Sequence, residues 1–241
     1  MFKTTTFKSG LLGLAFLIMP AFADYSVVNN FPNTPTLPAT NGVWSYGYSL
    51  SLSSFGFVLD STATTDYFND SSGVVGYYTP LSGAGSQLPT VLKNTNSGSF
   101  EQAGVGPWSP NYLLLHPGSG DQYSVIQFTA PSNGTYVFSG EFIGIATAGT
   151  TTDTHILLNG STSLFSKDIN SSGPSSAQSF YIPETLTAGE TLDFAVGYGT
   201  NGNYTSDSTG LLLNVTPEPM FYGVLGVGLA GLYLANRRRR A

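Results

Sequence analysis

The sequence predicts an all-β fold, a single antiparallel β-sandwich. From Gly42 onward, short runs of alternating apolar and polar residues are separated by Gly, Pro, Asn and Ser, the pattern of half-buried strands joined by turns. Asn133-Gly134 and Asn159-Gly160 lie between such runs, and Asn-Gly suits the positive φ angles of a tight hairpin turn. No stretch of the soluble part has a convincing helical period. About eleven short strands in one unit favour a sandwich, most of all a jelly roll.

The clearest strand is Thr135–Ile143, in which Tyr136, Phe138 and Phe142 alternate with other residues so that one face can be buried. The complete set of predicted strands is Val43–Leu50, Phe55–Leu59, Val74–Tyr78, Tyr112–Leu115, Ser124–Thr129, Thr135–Ile143, His155–Leu158, Ser163–Lys167, Gln178–Ile182, Thr191–Val196 and Gly210–Val215. No repeat or boundary interrupts them, so we predict one sandwich domain over residues 42–215. Residues 24–41 are rich in proline and are predicted to be an extended arm or a first edge strand.

The N-terminus has the parts of a secretory signal peptide. Lys3 and Lys8 precede the apolar stretch Leu11–Met19, and Ala21 and Ala23 provide an A-x-A cleavage site. The apolar stretch is too short for an ordinary spanning helix. We therefore expect residues 1–23 to be removed on export by the Sec route.

The C-terminal segment 216–241 has three parts in order. Pro217-Glu218-Pro219 comes first, the uncharged run Met220–Asn236 follows, and the segment then carries Arg237, Arg238, Arg239 and Arg240. As a helix the 17-residue run would be roughly 26 Å long, near the lower limit for a hydrocarbon core of about 30 Å. Arginines resist transfer across the bilayer and remain cytoplasmic. The prolines disfavour helix, which would leave Glu218 exposed just outside the membrane.

This tail resembles the PEP-CTERM sorting signal of Gram-negative bacteria. The resemblance implies that an exosortase-type sorting protease recognises the tail in the inner membrane and processes it near Pro217-Glu218-Pro219. The protein would be anchored in the inner membrane only transiently and would end at the cell surface or in the extracellular matrix, often in strains that make exopolysaccharide. The alternative is a plain membrane anchor, which needs only the apolar run and the arginines.

A series of landmarks in the second half carries a further resemblance. In order they are Leu115-His116-Pro117, Asn133-Gly134-Thr135, Leu157-Leu158-Asn159-Gly160, Ala188-Gly189-Glu190 and Asp207-Ser208-Thr209-Gly210. The order is similar to a jelly-roll ectodomain found in many PEP-CTERM proteins and beside some secreted bacterial carbohydrate-active enzymes. It covers roughly Trp44 to Leu213 and implies fold more than function. Where such domains commonly have Gly-Asp, this chain has Gly189-Glu190.

Charge and cysteine content exclude several classes of function. Between Asp24 and Pro219 two lysines face all 14 acidic residues, a net charge of −12 for the exported part. Such a surface repels nucleic acid, acidic polysaccharide and anionic membranes. With no cysteine, the domain has neither disulfides nor thiolate metal ligands.

Enzymatic activity has no recognisable signature, and we predict no catalytic residue. The carboxylates occur singly, and neither G-x-S-x-G nor H-E-x-x-H is present. His116 and His155 match no ligand spacing and are expected to be structural hydrogen-bonding residues. A polysaccharide-processing enzyme with a dispersed active site remains the alternative.

Calcium is the one candidate cofactor. The segment 60–70 places Asp60, Asp66 and Asp70 within eleven residues, and Ca²⁺ prefers oxygen ligands on loops. The segment does not match the EF-hand pattern, so a solvated acidic loop is the competing interpretation.

Aromatic residues suggest contact with sugars. Trp44, Tyr46 and Tyr48 alternate on one predicted strand and share a face, which could stack on sugar rings or could be the core face of that strand. The core interpretation is favoured. Trp108 lies between Pro107 and Ser109 and is expected to be the more exposed tryptophan.

Together these features predict a non-enzymatic surface or matrix protein whose sandwich binds, or embeds in, extracellular polysaccharide. The acidic surface favours a neutral glycan over an acidic one. A purely structural matrix protein without a ligand is a further alternative.

Overall fold

The computed structural model describes residues 24–81 and 87–218, together with Asn236. The predicted signal peptide with Ala21 and Ala23 lies outside the described residues, as do Pro219, the apolar run up to residue 235, and Arg237, Arg238, Arg239 and Arg240. No helix in the described part has the length and apolarity that crossing a bilayer requires.

Strands dominate the described part of the chain. In order they are β1 Tyr25–Ser26, β2 Thr40–Asn41, β3 Trp44–Ser49, β4 Val58–Leu59, β5 Thr62–Thr64, β6 Val74–Tyr78, β7 Thr90–Asn94, β8 Phe100–Gln102, β9 Val105–Trp108, β10 Leu113–His116, β11 Tyr123–Thr129, β12 Gly134–Gly144, β13 Thr152–Leu158, β14 Thr162–Ile169, β15 Gln178–Leu186, β16 Thr191–Gly197 and β17 Thr209–Pro217. Within residues 24–81 and 87–218 the helical elements are α1 Val27–Asn30 and one 3₁₀ turn, Pro174–Ser176.

Two antiparallel sheets pack face to face. The large sheet has eight strands, in the order β15-β12-β17-β10-β7-β6-β5 with β1 also pairing with β17. The small sheet has seven, in the order β14-β13-β16-β11-β3-β2 with β4 also pairing with β3. Strands β8 and β9 form a separate hairpin. Between β10 and β13, and again between β14 and β17, each strand lies in the opposite sheet from the one before it.

The predicted all-β antiparallel fold is confirmed, with strand boundaries shifted by a few residues. All 11 predicted runs contain an observed strand. In the run Phe55–Leu59, only Val58–Leu59 forms a strand. Four short strands outside the predicted segments escaped prediction, namely β5, β7, β8 and β9. Strand β7 is the most consequential of these because it lies inside the large sheet. Four of its five residues are buried, so its sequence shows no alternation that periodicity could detect.

The main core lies between the two sheets. Phe138 and Leu213 of the large sheet and Phe128 and Phe194 of the small sheet have no exposed surface. The proline-rich segment 24–41, predicted to be an extended arm or a first edge strand, contains the short strands β1 and β2. It also contributes to this core, because Val27, Val28, Phe31 and Ala39 are buried in it. Strand β1 anchors that segment by pairing with β17.

The outer faces of both sheets are apolar as well and are covered by loops. On the large sheet, Leu92 and Leu114 pack beneath Trp108 of the β8–β9 hairpin and Tyr67 of the loop between β5 and β6. On the small sheet, Val125 and Ala195 pack beneath Leu52, Phe55 and Phe57. We call residues 50–57 the covering loop.

Gly140 is predicted to be indispensable in β12, which pairs with β15 and β17 on its two sides. A Cβ at Gly140 would lie 1.9 Å from the Leu212 carbonyl oxygen, and neither backbone can move without breaking the sheet. The substitution Gly140→Ala should lower the free energy of unfolding by about 1–3 kcal/mol or more. Chemical denaturation of the full chain in detergent measures this change.

The matched control is Gly134→Ala in the same strand, where the nearest heavy atom to a new Cβ is 3.9 Å away. It should be neutral or slightly stabilising, because alanine restricts the unfolded chain. Equal effects of the two substitutions would contradict the described packing of β12.

Candidate functional site

A cleft of about 490 Å³ opens on the outer face of the large sheet. Its floor is formed by Leu92 of β7 and Leu114 of β10. One wall carries Tyr67 and Phe68, and the opposite wall carries Tyr204 from the loop between β16 and β17. The cleft therefore forms where the covering of the large sheet is incomplete.

The lining of the cleft is aromatic and polar but uncharged. Besides the three aromatic rings it presents Thr90, Thr205 and Ser206, and no Asp, Glu, Lys or Arg is among the described lining residues. His116 also lines the cleft, with its ring edge toward Tyr204 at 6.4 Å between centroids. Burial lowers the pKa of His116, so the imidazole is neutral at pH 7.

The wall that carries Tyr204 is fixed at both ends. Near its start, the Gly199 N–H donates to Asp153 Oδ1 at 2.8 Å. Near its end, Asp207 Oδ1 accepts hydrogen bonds from the Thr151 N–H at 3.2 Å and from its hydroxyl at 3.1 Å. Two carboxylates therefore hold the loop that presents Tyr204 to the cleft.

Asp153 is the centre of a buried network. Its Oδ2 accepts a hydrogen bond from the Tyr123 hydroxyl at 2.6 Å and lies 2.8 Å from His155 Nε2. Desolvation acts to raise the pKa of Asp153, but the bonds from His155, Tyr123 and Gly199 outweigh it and hold the pKa below its usual value. His155 is 8% exposed, and its interaction with Asp153 fixes it within the fold.

The opposite wall is shaped by two of the acidic residues that suggested calcium. Asp66 accepts hydrogen bonds from the N–H groups of Asp70 and Ser71, each at 3.2 Å. Asp70 accepts from the Ser72 N–H at 3.0 Å, and its other oxygen accepts from the Gln102 amide of the β8–β9 hairpin. These bonds close the turn beside Tyr67 and Phe68.

The predicted calcium site is not formed by these residues. Asp60 is 3% exposed, and its Oδ1 accepts a hydrogen bond from the Thr79 hydroxyl at 2.9 Å. No three His, Asp or Glu side chains converge as potential metal ligands in the described ranges. The three candidate calcium ligands Asp60, Asp66 and Asp70 do not converge, because two of them cap a turn and the third is buried elsewhere.

The predicted aromatic stripe is mainly core. Trp44 is 1% exposed and Tyr46 0%, and the Tyr46 ring stacks on Tyr77 at 5.2 Å. Tyr48 is half-buried. Buried rings cannot stack on a sugar, so Trp44 and Tyr46 are not glycan contacts, and the favoured core interpretation holds for them.

Trp108 was expected to be exposed, and this expectation was wrong. Its side chain has no exposed surface, and its indole N–H donates to the Tyr112 carbonyl at 2.9 Å. Trp108 ends β9, and the outer face of the large sheet needs an apolar cover at that point.

Sequence reasoning missed the aromatic residues that line the cleft. Tyr67 and Phe68 lie inside the segment considered for calcium, and Tyr204 lies in a polar loop between Asn201 and Asp207. The sequence did contain an indication, an aromatic residue within a loop of hydrogen-bonding residues. Such a residue is more typical of a functional site than of a packed core.

The cleft and the first two residues of the motif, Pro217 and Glu218, lie at opposite ends of β17. The strand begins at Thr209, beside the cleft-lining Ser208, and ends at Pro217, opposite Tyr136. At about 3.3 Å per residue it spans about 26 Å. The Glu218 N–H donates to the Thr135 carbonyl at 2.8 Å, and the Glu218 side chain is exposed.

Comparisons with known proteins give partial likenesses only. No protein-family model and no curated protein matches the chain. A family 35 carbohydrate binding module from Clostridium thermocellum has 18% identity and a TM-score of 0.28, over 59% of this chain and 86% of the module. A CBM4 structure has 18% identity and a TM-score of 0.28, over 44% of this chain and 71% of that one. A β-glucosidase from Kluyveromyces marxianus in complex with glucose has 18% identity and a TM-score of 0.32, over 61% of this chain and only 15% of the enzyme. TM-scores this low say nothing of what this chain binds.

Three buried carboxylates should make stability depend on pH. Burial raises the pKa of Asp60 and of Asp207 to about 7 and that of Asp193 to about 6. The native state thus keeps protons that the unfolded chain releases near pH 4. Each group therefore lowers the free energy of unfolding as pH rises from about 4 to its native pKa.

The test compares Asp60→Asn with the unchanged chain by thermal unfolding between pH 5 and 8. The unchanged chain should lose stability relative to the variant as pH rises, because the amide cannot ionise. Asp168→Asn, on the exposed edge strand β14, is the control and should show no such trend. A relative gain in stability of the unchanged chain with rising pH would contradict the burial of Asp60.

Proposed function

We propose that this chain is an exported bacterial surface or matrix protein that binds neutral extracellular polysaccharide in the cleft and has no enzymatic activity. Its sandwich would be a jelly roll, an assignment supported by the repeated passage of consecutive strands between the sheets. Its delivery would depend on the signal peptide and the PEP-CTERM tail.

The observation that carries the proposal is the chemistry of the cleft. Sugar rings have apolar CH faces and hydroxyl rims, so they suit sites that combine aromatic rings with uncharged hydrogen-bonding groups. Phe68 and Tyr204, which are only partly buried, supply the rings, and Thr205 and Ser206 supply hydroxyls. The surrounding charge of −12 would repel an acidic polysaccharide.

The same lining favours binding over hydrolysis. Glycosidases generally use two carboxyl groups on either side of the scissile bond. No described residue that lines the cleft is Asp or Glu. Asp153 and Asp207 lie behind one wall and are already engaged with Gly199 and Thr151.

Delivery to the cell exterior is proposed from the sequence of the two termini. An exosortase-type protease would recognise Pro217-Glu218-Pro219 while the chain is held in the inner membrane. Pro217 ends β17, and the cleft lies at the other end of this strand. A chain anchored through the motif would therefore hold its cleft about 26 Å away, the length of the strand. That separation would leave the cleft accessible to polysaccharide.

Replacement of Tyr204 tests the binding role. We expect Tyr204→Ala to weaken binding of a neutral polysaccharide roughly tenfold, the effect of about 1.4 kcal/mol, because the ring is half-buried in the wall of the cleft. The full chain, kept in a detergent that carries no sugar, would be screened on a glycan panel with and without EDTA.

The matched control is Tyr181→Ala. Tyr181 is 69% exposed on β15, an edge strand of the large sheet remote in sheet order from β7 and β10, so its removal should leave binding unchanged. Uniformly flat responses across the panel would refute the proposal. Release of reducing ends from a polysaccharide would favour the enzyme instead.

Sorting is tested in the source organism by changing the motif itself. Glu218→Gln combined with Pro219→Ala should leave the full-length protein in the inner membrane. Glu184→Gln, a change within β15, should mature normally. Normal maturation of the motif variant would refute sorting and leave the plain anchor.

A further inference from the structure

A second, smaller cavity of about 280 Å³ lies on the outer face of the small sheet. Gln127 of β11 and Asp193 of β16 line it from the sheet, and Phe55 and Phe57 of the covering loop line it from above. The Asn159-Gly160 turn adds a further side. The cavity therefore opens on the side of the sandwich opposite the cleft.

Asp193 lowers the stability of the fold at this position. It lies within a strand, is 1% exposed, and neighbours Ala195 on the same outer face. Its Oδ2 makes no hydrogen bond of normal geometry, although the nearby Gly160 N–H favours the ionised form. A buried carboxylate oxygen without a partner costs stability. An apolar residue would cover the sheet as well, so packing alone does not explain Asp193.

The buried carboxylate fixes a second polar group in the cavity. Asp193 Oδ1 accepts a hydrogen bond from Gln127 Nε2 at 2.7 Å. Gln127 is directly opposite Asp193 in the register of β11 and β16 and is half-buried. This bond uses one N–H of the carboxamide. The second N–H and the carbonyl oxygen are left as a donor and an acceptor held side by side.

The covering loop adds an apolar surface beside this carboxamide. Phe55 and Phe57 are half-buried and pack with Tyr123, Val125 and Ala195. Phe55 also closes over Gly160, where a Cβ would approach its ring carbon to 2.9 Å. A fixed donor–acceptor pair next to phenyl rings suits a ligand that has hydroxyl groups on its rim and CH groups on its face.

We propose that this cavity is a binding site for a single neutral sugar ring. Its volume is near the lower end of the roughly 300–1,000 Å³ that small-molecule sites occupy, so it accommodates one ring at the end or branch of a glycan. Asp193 repels acidic sugars, and Gln127 engages two hydroxyls of the ring. The site shares no lining residue with the cleft, so it does not depend on the proposed function of the cleft. Two sites on opposite faces allow one molecule to hold two glycan chains.

The test is ligand-observed saturation-transfer NMR on the full chain in a detergent without sugar, with glucose, galactose, mannose and N-acetylglucosamine as probes. At least one sugar should bind, and Phe57→Leu and Gln127→Leu should each weaken its binding at least tenfold. Phe57→Leu preserves the apolar cover, so thermal unfolding should show that this variant stays folded.

The matched control is Tyr181→Leu, an aromatic-to-leucine change at an exposed residue that lines neither cavity. It should leave monosaccharide binding in the small cavity unchanged. The absence of saturation transfer from all four sugars at millimolar concentration would overturn the proposal. So would binding that Phe68→Leu or Tyr204→Ala abolishes and Phe57→Leu leaves intact, since that result would place the sugar in the cleft.

Discussion

Both sheets of this sandwich are apolar on their outer faces as well as on the faces that meet, and the remaining architecture follows from the need to cover them. The β8–β9 hairpin and the turn at residues 66–72 cover Leu92 and Leu114, and the covering loop covers Val125 and Ala195. With no cysteine in the chain, these covers are held without disulfides. Neither Lys93 nor Lys167 forms an ion pair with a described carboxylate. Instead, carboxylates that accept hydrogen bonds from N–H and O–H groups hold several of the covering loops in place.

The two cavities are consequences of this arrangement. The cleft opens at the margin of the cover over the large sheet, and the small cavity opens at the margin of the cover over the small sheet. In the cleft, Asp153 and Asp207 hold one wall from behind, while Asp66 and Asp70 shape the other. These acidic residues therefore hold the walls of the cleft in place, although none of them is among its described lining residues. This separation gives an acidic chain a cleft whose described lining is uncharged.

The sequence predicted the fold better than the site, for physical reasons. Strands such as β12 alternate between core and outer positions, so periodicity finds them. Strand β7 is buried on both faces, and α1 is packed into the core by segment 24–41, so neither shows a period. The site depends on which aromatic residues remain outside the core. Alternation favoured a core position for the stripe that contains Trp44, but it gives no information on Tyr204, which lies in a loop and is half-exposed.

We propose that the cleft lined by Phe68 and Tyr204 receives a neutral glycan. The most direct measurement is a crystal structure of the chain with a neutral oligosaccharide that binds it in solution. We expect a sugar ring against Tyr204, above Leu114, with residues 198–208 in the same conformation as in the free chain. A glycan bound elsewhere, with the cleft empty, would contradict the account.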